Sequence, residues 1–163
     1  MSDEPLRPDP DRLLQHTAAP HRGKLKVFFG ACAGVGKTWA MLAEAQRLRA
    51  QGLDILIGVA ETHGRKETAA MLQGLSTLPP RRLAHRGRYV YEFDLDAALA
   101  RRPALILVDE LAHSNAPGSR HPKRWQDVDE LLEAGIDVFT TVNVQHLESV
   151  KDGVSGITGV LVG

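Results

Sequence analysis

The chain has 163 residues, room for one domain with a sizeable core. Hydrophobic residues make up 43% and charged residues 25%, which excludes a disordered chain. A formal net charge of zero removes the strong field expected of a nucleic-acid or anionic-membrane binder, and no apolar run approaches the roughly 20 residues of a membrane helix.

Residues 1–22 carry Pro5, Pro8, Pro10 and Pro20 among charged residues and read as a mobile leader; the domain proper is expected over residues 23–163. Leu25 to Phe29 is nearly continuous in apolar character, as expected of a strand buried on both faces of a parallel sheet. The string GACAGVGKT, Gly30 to Thr38, follows at the turn into a helix expected from Trp39 to Ala50. Glycines at such a turn let successive backbone N–H groups face an anion, and the helix presents its N-terminus to the same charge. The expected phosphate cradle is Ala31, Cys32, Ala33, Gly34, Val35, Gly36, Lys37 and Thr38. Lys37 would reach the β- and γ-phosphates and Thr38 would ligate Mg²⁺. The strict pattern places glycine where this chain has Ala31, which is acceptable if that residue keeps a negative φ. The single cysteine, Cys32, cannot form an internal disulfide and suits a reducing cytosol, with packing as its expected role.

Gly52 closes the first helix, and Leu53 to Ala60 is the next strand, delivering Glu61, Thr62 and His63 to the edge where open α/β sheets bind ligands. These three could contact Mg²⁺ or a second substrate, or form a plain loop. Lys66 to Leu75 reads as a short helix, and residues 81–93 as two extended pieces around Arg86-Gly87-Arg88. Asp94 caps a small helix that Pro103 ends.

Ala104 to Asp109 is the most strand-like run, ending in a carboxylate followed by Glu110. Combined with the upstream lysine loop, Asp109 would hold Mg²⁺ through water, and Glu110 would take a proton from an attacking water or hydroxyl, as catalytic base. Arg120, Lys123 and Arg124 in the following loop could neutralise phosphate charge, although a solvated basic loop is the favoured reading; His113 and His121 would position that loop. A helix from Trp125 to Ala134 and a strand from Ile136 to Val142 complete the alternation, with Asn143 placed as a polar sensor near the γ-phosphate. Seven histidines show no H-E-x-x-H spacing, so no zinc site is expected. The chain stops at Gly163 within the apolar run Gly159 to Val162 and so reads as a fragment of something longer.

Alternating strands and helices predict an α/β fold with a mainly parallel sheet covered on both faces. The glycine loop with the Asp-Glu pair resembles the large ATPase division of P-loop proteins, in which a glutamate activates the nucleophile and an extra strand lies between the two motifs. The strings FFGACAGVGKT, GVAETHGRKET, ILVDELAHSNAPGSRHPKRWQDV and TTVNVQHLES are more specific. Together they resemble the N-terminal cytoplasmic domain of the KdpD family of membrane sensor histidine kinases, from about Gly23 to the end, and Ala31 is no departure from that family's loop.

The resemblance implies an ATP-binding regulatory domain of a two-component sensor kinase controlling potassium uptake under low potassium or osmotic stress. The alternative is a catalytic ATPase or protein-hydroxyl phosphotransferase using Glu110. It also implies ATP and Mg²⁺ as cofactors and a cytoplasmic position in a bacterial inner-membrane protein. The implied partners are the downstream domains of the same kinase, a response regulator reached through the kinase core, and a possible homodimer. His146 lacks the arginine and proline that follow a phosphoacceptor histidine, so this stretch is not expected to autophosphorylate.

Overall fold

The structure, a computed structural model, describes residues 21–30, 36–151, 153–154 and 157–162. Six strands form one sheet: β1 (Leu25–Gly30), β2 (Ile55–Val59), β3 (Ser76–Thr77), β6 (Leu105–Val108), β7 (Asp137–Asn143) and β8 (Ile157–Leu161). Their spatial order is β3-β2-β6-β7-β1-β8, and every pairing is parallel. β7 therefore lies between β1 and β6, pairing Gly30 with Asn143 on one side and Val108 with Thr140 on the other. A separate antiparallel pair is formed by β4 (Arg81–His85) and β5 (Arg88–Glu92).

Strand alternation divides the core. Leu105 and Leu107 face one layer with Phe28, Ile57 and Phe139, packed against Met41, Leu42 and Ala45 of α1 (Gly36–Ala50). Ile106 and Val108 face the opposite layer, which takes Ala98 of α3 (Leu95–Arg101) and Val128, Leu131 and Leu132 of α4 (Arg124–Glu133). Both faces are thus covered, which is why β6 reads as an unbroken apolar run. Gly58 lets Phe93 close on the sheet, since a Cβ there would lie 2.6 Å from its ring.

Several boundaries differ from the sequence reading. α1 begins at Gly36, three residues early, because the helix grows directly out of the glycine loop. The helix expected over Lys66 to Leu75 is only α2 (Lys66–Ala70); the chain turns at Met71 and reaches Gly74 with φ +82°. The residues after that turn form β3, whose two polar residues carry no apolar strand signature. Residues 1–20 of the expected leader lie outside the described residues. Its last residue does not: Arg22 pairs with Asp129, and the Gly23 N–H donates to the Leu132 carbonyl at 2.7 Å. A short 3₁₀ turn (Val144–His146) and α5 (Leu147–Lys151) lead from β7 towards β8. Among the described residues no helix is long and apolar enough to cross a membrane.

Candidate functional site

The parallel topology brings the C-terminal tips of β1, β2, β6 and β7 to one edge, and Asp109 sits at their convergence, 0% exposed. Its N–H continues the ladder to the Val59 carbonyl at 3.1 Å. The carboxylate is held by three donors. Thr38 Oγ1 donates to Oδ2 at 2.9 Å, the Glu61 N–H donates to the same oxygen at 2.8 Å, and Thr141 Oγ1 donates to Oδ1. Burying a carboxylate is expensive unless its lone pairs are filled. Three of roughly four acceptor positions are taken here, leaving room for one water or cation-bound water. Thr38 donates its hydrogen to Asp109, which keeps its oxygen lone pairs for a cation. A hydroxyl beside a carboxylate is a donor set suited to Mg²⁺, a hard ion that retains several waters.

Glu110 differs from its neighbour in every respect. Its carboxylate is exposed, its φ is +62°, and its N–H donates to Thr141 Oγ1 at 3.0 Å. A non-glycine residue in the left-handed region carries roughly 1–2 kcal/mol of strain. The conformation is held because the next N–H, of Leu111, donates to the Thr141 carbonyl at 2.8 Å. His63 is also left-handed, at φ +51°. Such outliers gather at functional sites.

Glu110 and His63 line an open cavity of about 320 Å³, at the small end of the roughly 300–1,000 Å³ typical of ligand pockets. Lys37, Thr38, Asp109 and Asn143 line it too. The structure therefore brings six residues singled out in the sequence together: Lys37, Thr38, His63, Asp109, Glu110 and Asn143. Lys37 is 7% exposed, in the first turn of α1. The positions Ala31 to Val35 lie outside the described residues. Glu61 meets Asp109 through its main chain, and the residue lines a different cavity. Among the described residues no group of three or more His, Cys, Asp or Glu is placed to hold a metal.

The basic loop requires correction. Arg124 is not solvated: it is 5% exposed, and its Nη1 donates to the Asp109 carbonyl at 2.8 Å, with Nη2 3.6 Å from Glu92. It occupies the first position of α4, where the inward face also carries Asp127 and Val128. Burial pushes its guanidinium down from its ordinary value, against the pull of Glu92, Glu110, Asp109 and Asp127. Burial likewise pushes the Asp127 carboxyl up, partly offset by the hydrogen bond from Asn115. Arg120 pairs with Asp96 and Glu130 on the surface, and Lys123 Nζ donates to Ser114 Oγ at 2.7 Å. The two loop histidines act as expected: His113 Nε2 lies 2.9 Å from Glu92 Oε1, and His121 Nε2 lies 2.8 Å from Glu130 Oε1. Glu92 also accepts from the Ala116 N–H at 2.8 Å, so β5 straps down the loop behind Glu110.

Sequence reasoning missed Thr141, Glu92 and His146, the last of which lines the cavity. Thr141 had a signal, a hydroxyl inside a buried strand that must find partners. Glu92 had none short of the tertiary contact.

Residues 21–163 match the family described as KdpD, osmosensitive K⁺ channel His kinase sensor domain. The chain belongs to that family. It is 83% identical over 162 residues to the sensor protein KdpD of Escherichia coli K12, covering 99% of this chain and 18% of the relative. The sensor protein KdpD of Mycobacterium tuberculosis H37Rv is 51% identical over 148 residues, 91% of this chain and 17% of its own. The putative sensor protein KdpD of Synechocystis is 54% identical over 151 residues, 92% of this chain and 41% of its own. The chain thus spans well under half the length of these relatives, and the family match embraces all the cavity residues named above.

Proposed function

We propose that the chain is an ATP-binding regulatory module of a two-component sensor histidine kinase governing potassium uptake, with a P-loop nucleotide site at the sheet edge. The observation that carries this reading is the buried contact of Thr38 Oγ1 with Asp109 Oδ2 at 2.9 Å, beside Lys37. It couples the helix that follows the glycine loop to the carboxylate ending β6. Lys37 would neutralise the β- and γ-phosphates, the Thr38 hydroxyl would ligate Mg²⁺, Asp109 would hold it through water, and Asn143 would face the γ-phosphate. Magnesium would supply charge neutralisation for the phosphates. The parallel sheet with β7 between β1 and β6 agrees with the P-loop assignment. Occupancy would act on the downstream domains of the same kinase, and through its kinase core on a response regulator, by favouring one of two states. The module would lie on the cytoplasmic side of a bacterial inner membrane, with homodimerisation a further means of transmission.

Calorimetric titration of Mg-ATP into the chain and into Lys37→Ala and Thr38→Ala tests this. Binding that weakens at least tenfold in both variants is expected; unchanged binding in Lys37→Ala sinks the reading. A second reading is favoured by the strained placement of Glu110: a catalytic domain in which Glu110 accepts the proton of a water or protein hydroxyl attacking the γ-phosphorus. In that case Glu110→Gln would bind Mg-ATP normally but lose turnover by about 10²-fold or more. Equal turnover in the variant discards it.

A further inference from the structure

The hairpin of β4 and β5 forms a two-stranded sheet of its own. Arg86 and Gly87, both with positive φ, make its tight turn. The cross-strand register sets its two faces: Leu83 opposite Val90 lies on the covered one, and Arg82 opposite Tyr91 with Ala84 opposite Tyr89 lies on the outward one. On the outward face both tyrosines are 61% exposed, although the Arg82 guanidinium lies 4.2 Å from the Tyr89 ring centroid.

This hairpin is also where the even charge balance of the chain breaks down. Arg81, Arg82, Arg86 and Arg88 are all exposed, and none forms an ion pair among the described residues. Arg22, Arg47, Arg101, Arg120 and Arg124, by contrast, each face a carboxylate. The one acid of the two strands, Glu92, is buried and already taken by His113 and the Ala116 N–H. Arginines crowded without counter-charge beside two open rings suit an acidic partner with apolar faces.

The chain itself carries a segment of that chemistry. Residues 3–11, outside the described residues, read DEPLRPDPD: Asp3, Glu4, Asp9 and Asp11 against Arg7 alone, with Pro5, Pro8 and Pro10. Such a sequence favours the polyproline helix, which aromatic surfaces bind at little cost in chain entropy. Pro5 and Pro8 stand one turn, about 9 Å, apart on one side of such a helix. That span is within reach of two rings rooted about 7 Å apart on one strand. The segment is also tethered on the right face of the sheet. Arg22 pairs with Asp129 and Gly23 bonds Leu132, while the hairpin continues through Phe93 and Leu95 into the core layer that holds Leu132. The intervening residues 12–22 reach as far as about 36 Å.

We propose that the outward face of this hairpin docks residues 3–11 of the same chain, with prolines on Tyr89 and Tyr91 and carboxylates among Arg81, Arg82, Arg86 and Arg88. The docking does not rest on the nucleotide reading. It adjoins that cavity through Glu92, the last residue of β5, which holds His113 in the cavity lining.

The test is nucleotide-free NMR on the full isotope-labelled chain. NOEs between the Pro5 or Pro8 ring protons and the Tyr89 or Tyr91 rings are expected, unchanged on dilution and weakened by added salt. A chain carrying Asp3→Asn, Glu4→Gln, Asp9→Asn and Asp11→Asn should lose them and shift the amides of residues 81–91, while its core methyl spectrum stays the same. Tyr89→Ser with Tyr91→Ser should shift the amides of residues 3–11 in turn. Absence of these NOEs in the unsubstituted chain overturns the proposal, as do hairpin amides indifferent to the four leader substitutions. NOEs found only between differently labelled copies in a mixed sample would give the face to a second copy. Hairpin amides that ignore the leader but respond to phosphatidylglycerol vesicles would give it to a lipid surface. Either result overturns docking within the chain. None of these outcomes bears on Mg-ATP binding, so the two readings fail separately.

Discussion

Two polar clusters tie distant elements of the chain together, and they are built on opposite principles. Around Asp109 the partners are two threonine hydroxyls and a backbone N–H, all short and mostly buried, drawn from α1, the turn after β2, and β7. Around Glu130 the partners are Arg120 and His121, long side chains on the surface, with Asp96 as a second acceptor for Arg120. In the first cluster no side chain gives up much rotamer freedom, and water cannot replace what is lost. In the second, the flexible ends are ordered at an entropic cost and solvent competes for every bond. The buried cluster should therefore fix geometry, while the exposed one only restrains a loop.

The largest effect should come from Asp109→Ala, which strands the Thr38 and Thr141 hydroxyls and the Glu61 N–H at once. Chemical denaturation should show a loss of about 2–3 kcal/mol, and a loss below half a kcal/mol would put Asp109 on a level with the surface cluster. Thr141→Val keeps the volume but removes both the donor to Asp109 and the acceptor of the Glu110 N–H. About 1–2 kcal/mol should be lost, and amide exchange at Glu110 should quicken as its left-handed turn loosens.

Smaller still, Arg120→Ala should lower stability by less than about 1 kcal/mol, with the difference shrinking as salt is raised. A salt-independent loss would mean that the surface network is less solvated than its exposure implies. The smallest effect concerns pH. The Glu130 carboxyl is held below the usual carboxylate range by hydrogen bonds from Arg120 and then His121. A folded value below the unfolded one contributes stability that is complete above the unfolded value, near 4.3, and lost as pH falls through the folded value. Melting temperatures of the chain and of Glu130→Gln should converge as pH is lowered from about 5 to 3.

How much of this was legible without coordinates follows the same division. The apolar runs of β1 and β6 announced buried parallel strands, and the motifs holding Lys37, Thr38, Asp109 and Glu110 announced residues that line one cavity at the sheet edge, because each is a local pattern. Asn143 was placed by the rule that strand tips carry function. Arg124 was misread, since a basic residue after Pro122 and Lys123 looks like loop until α4 is known to start there and turn it inward. Glu92 and Thr141 owe their roles to strands distant in sequence, and nothing near them in the chain names a partner. β3 was invisible because Ser76 and Thr77 have no apolar alternation to display.

The position of β1 has a consequence for how the molecule is made. Its two neighbours in the sheet are β7 and β8, both from the last part of the chain, and Gly30 pairs with Asn143. At a synthesis rate of about 5–20 residues per second, on the order of ten seconds separate the emergence of β1 from that of its first neighbour. Until then the glycine loop has a strand behind it but no sheet, and a buried apolar ribbon such as VFF must wait unpaired. During translation this region is thus a natural client for chaperones, and the mutations most harmful to yield in the cell should cluster in β7 and β8, far in sequence from the loop they complete.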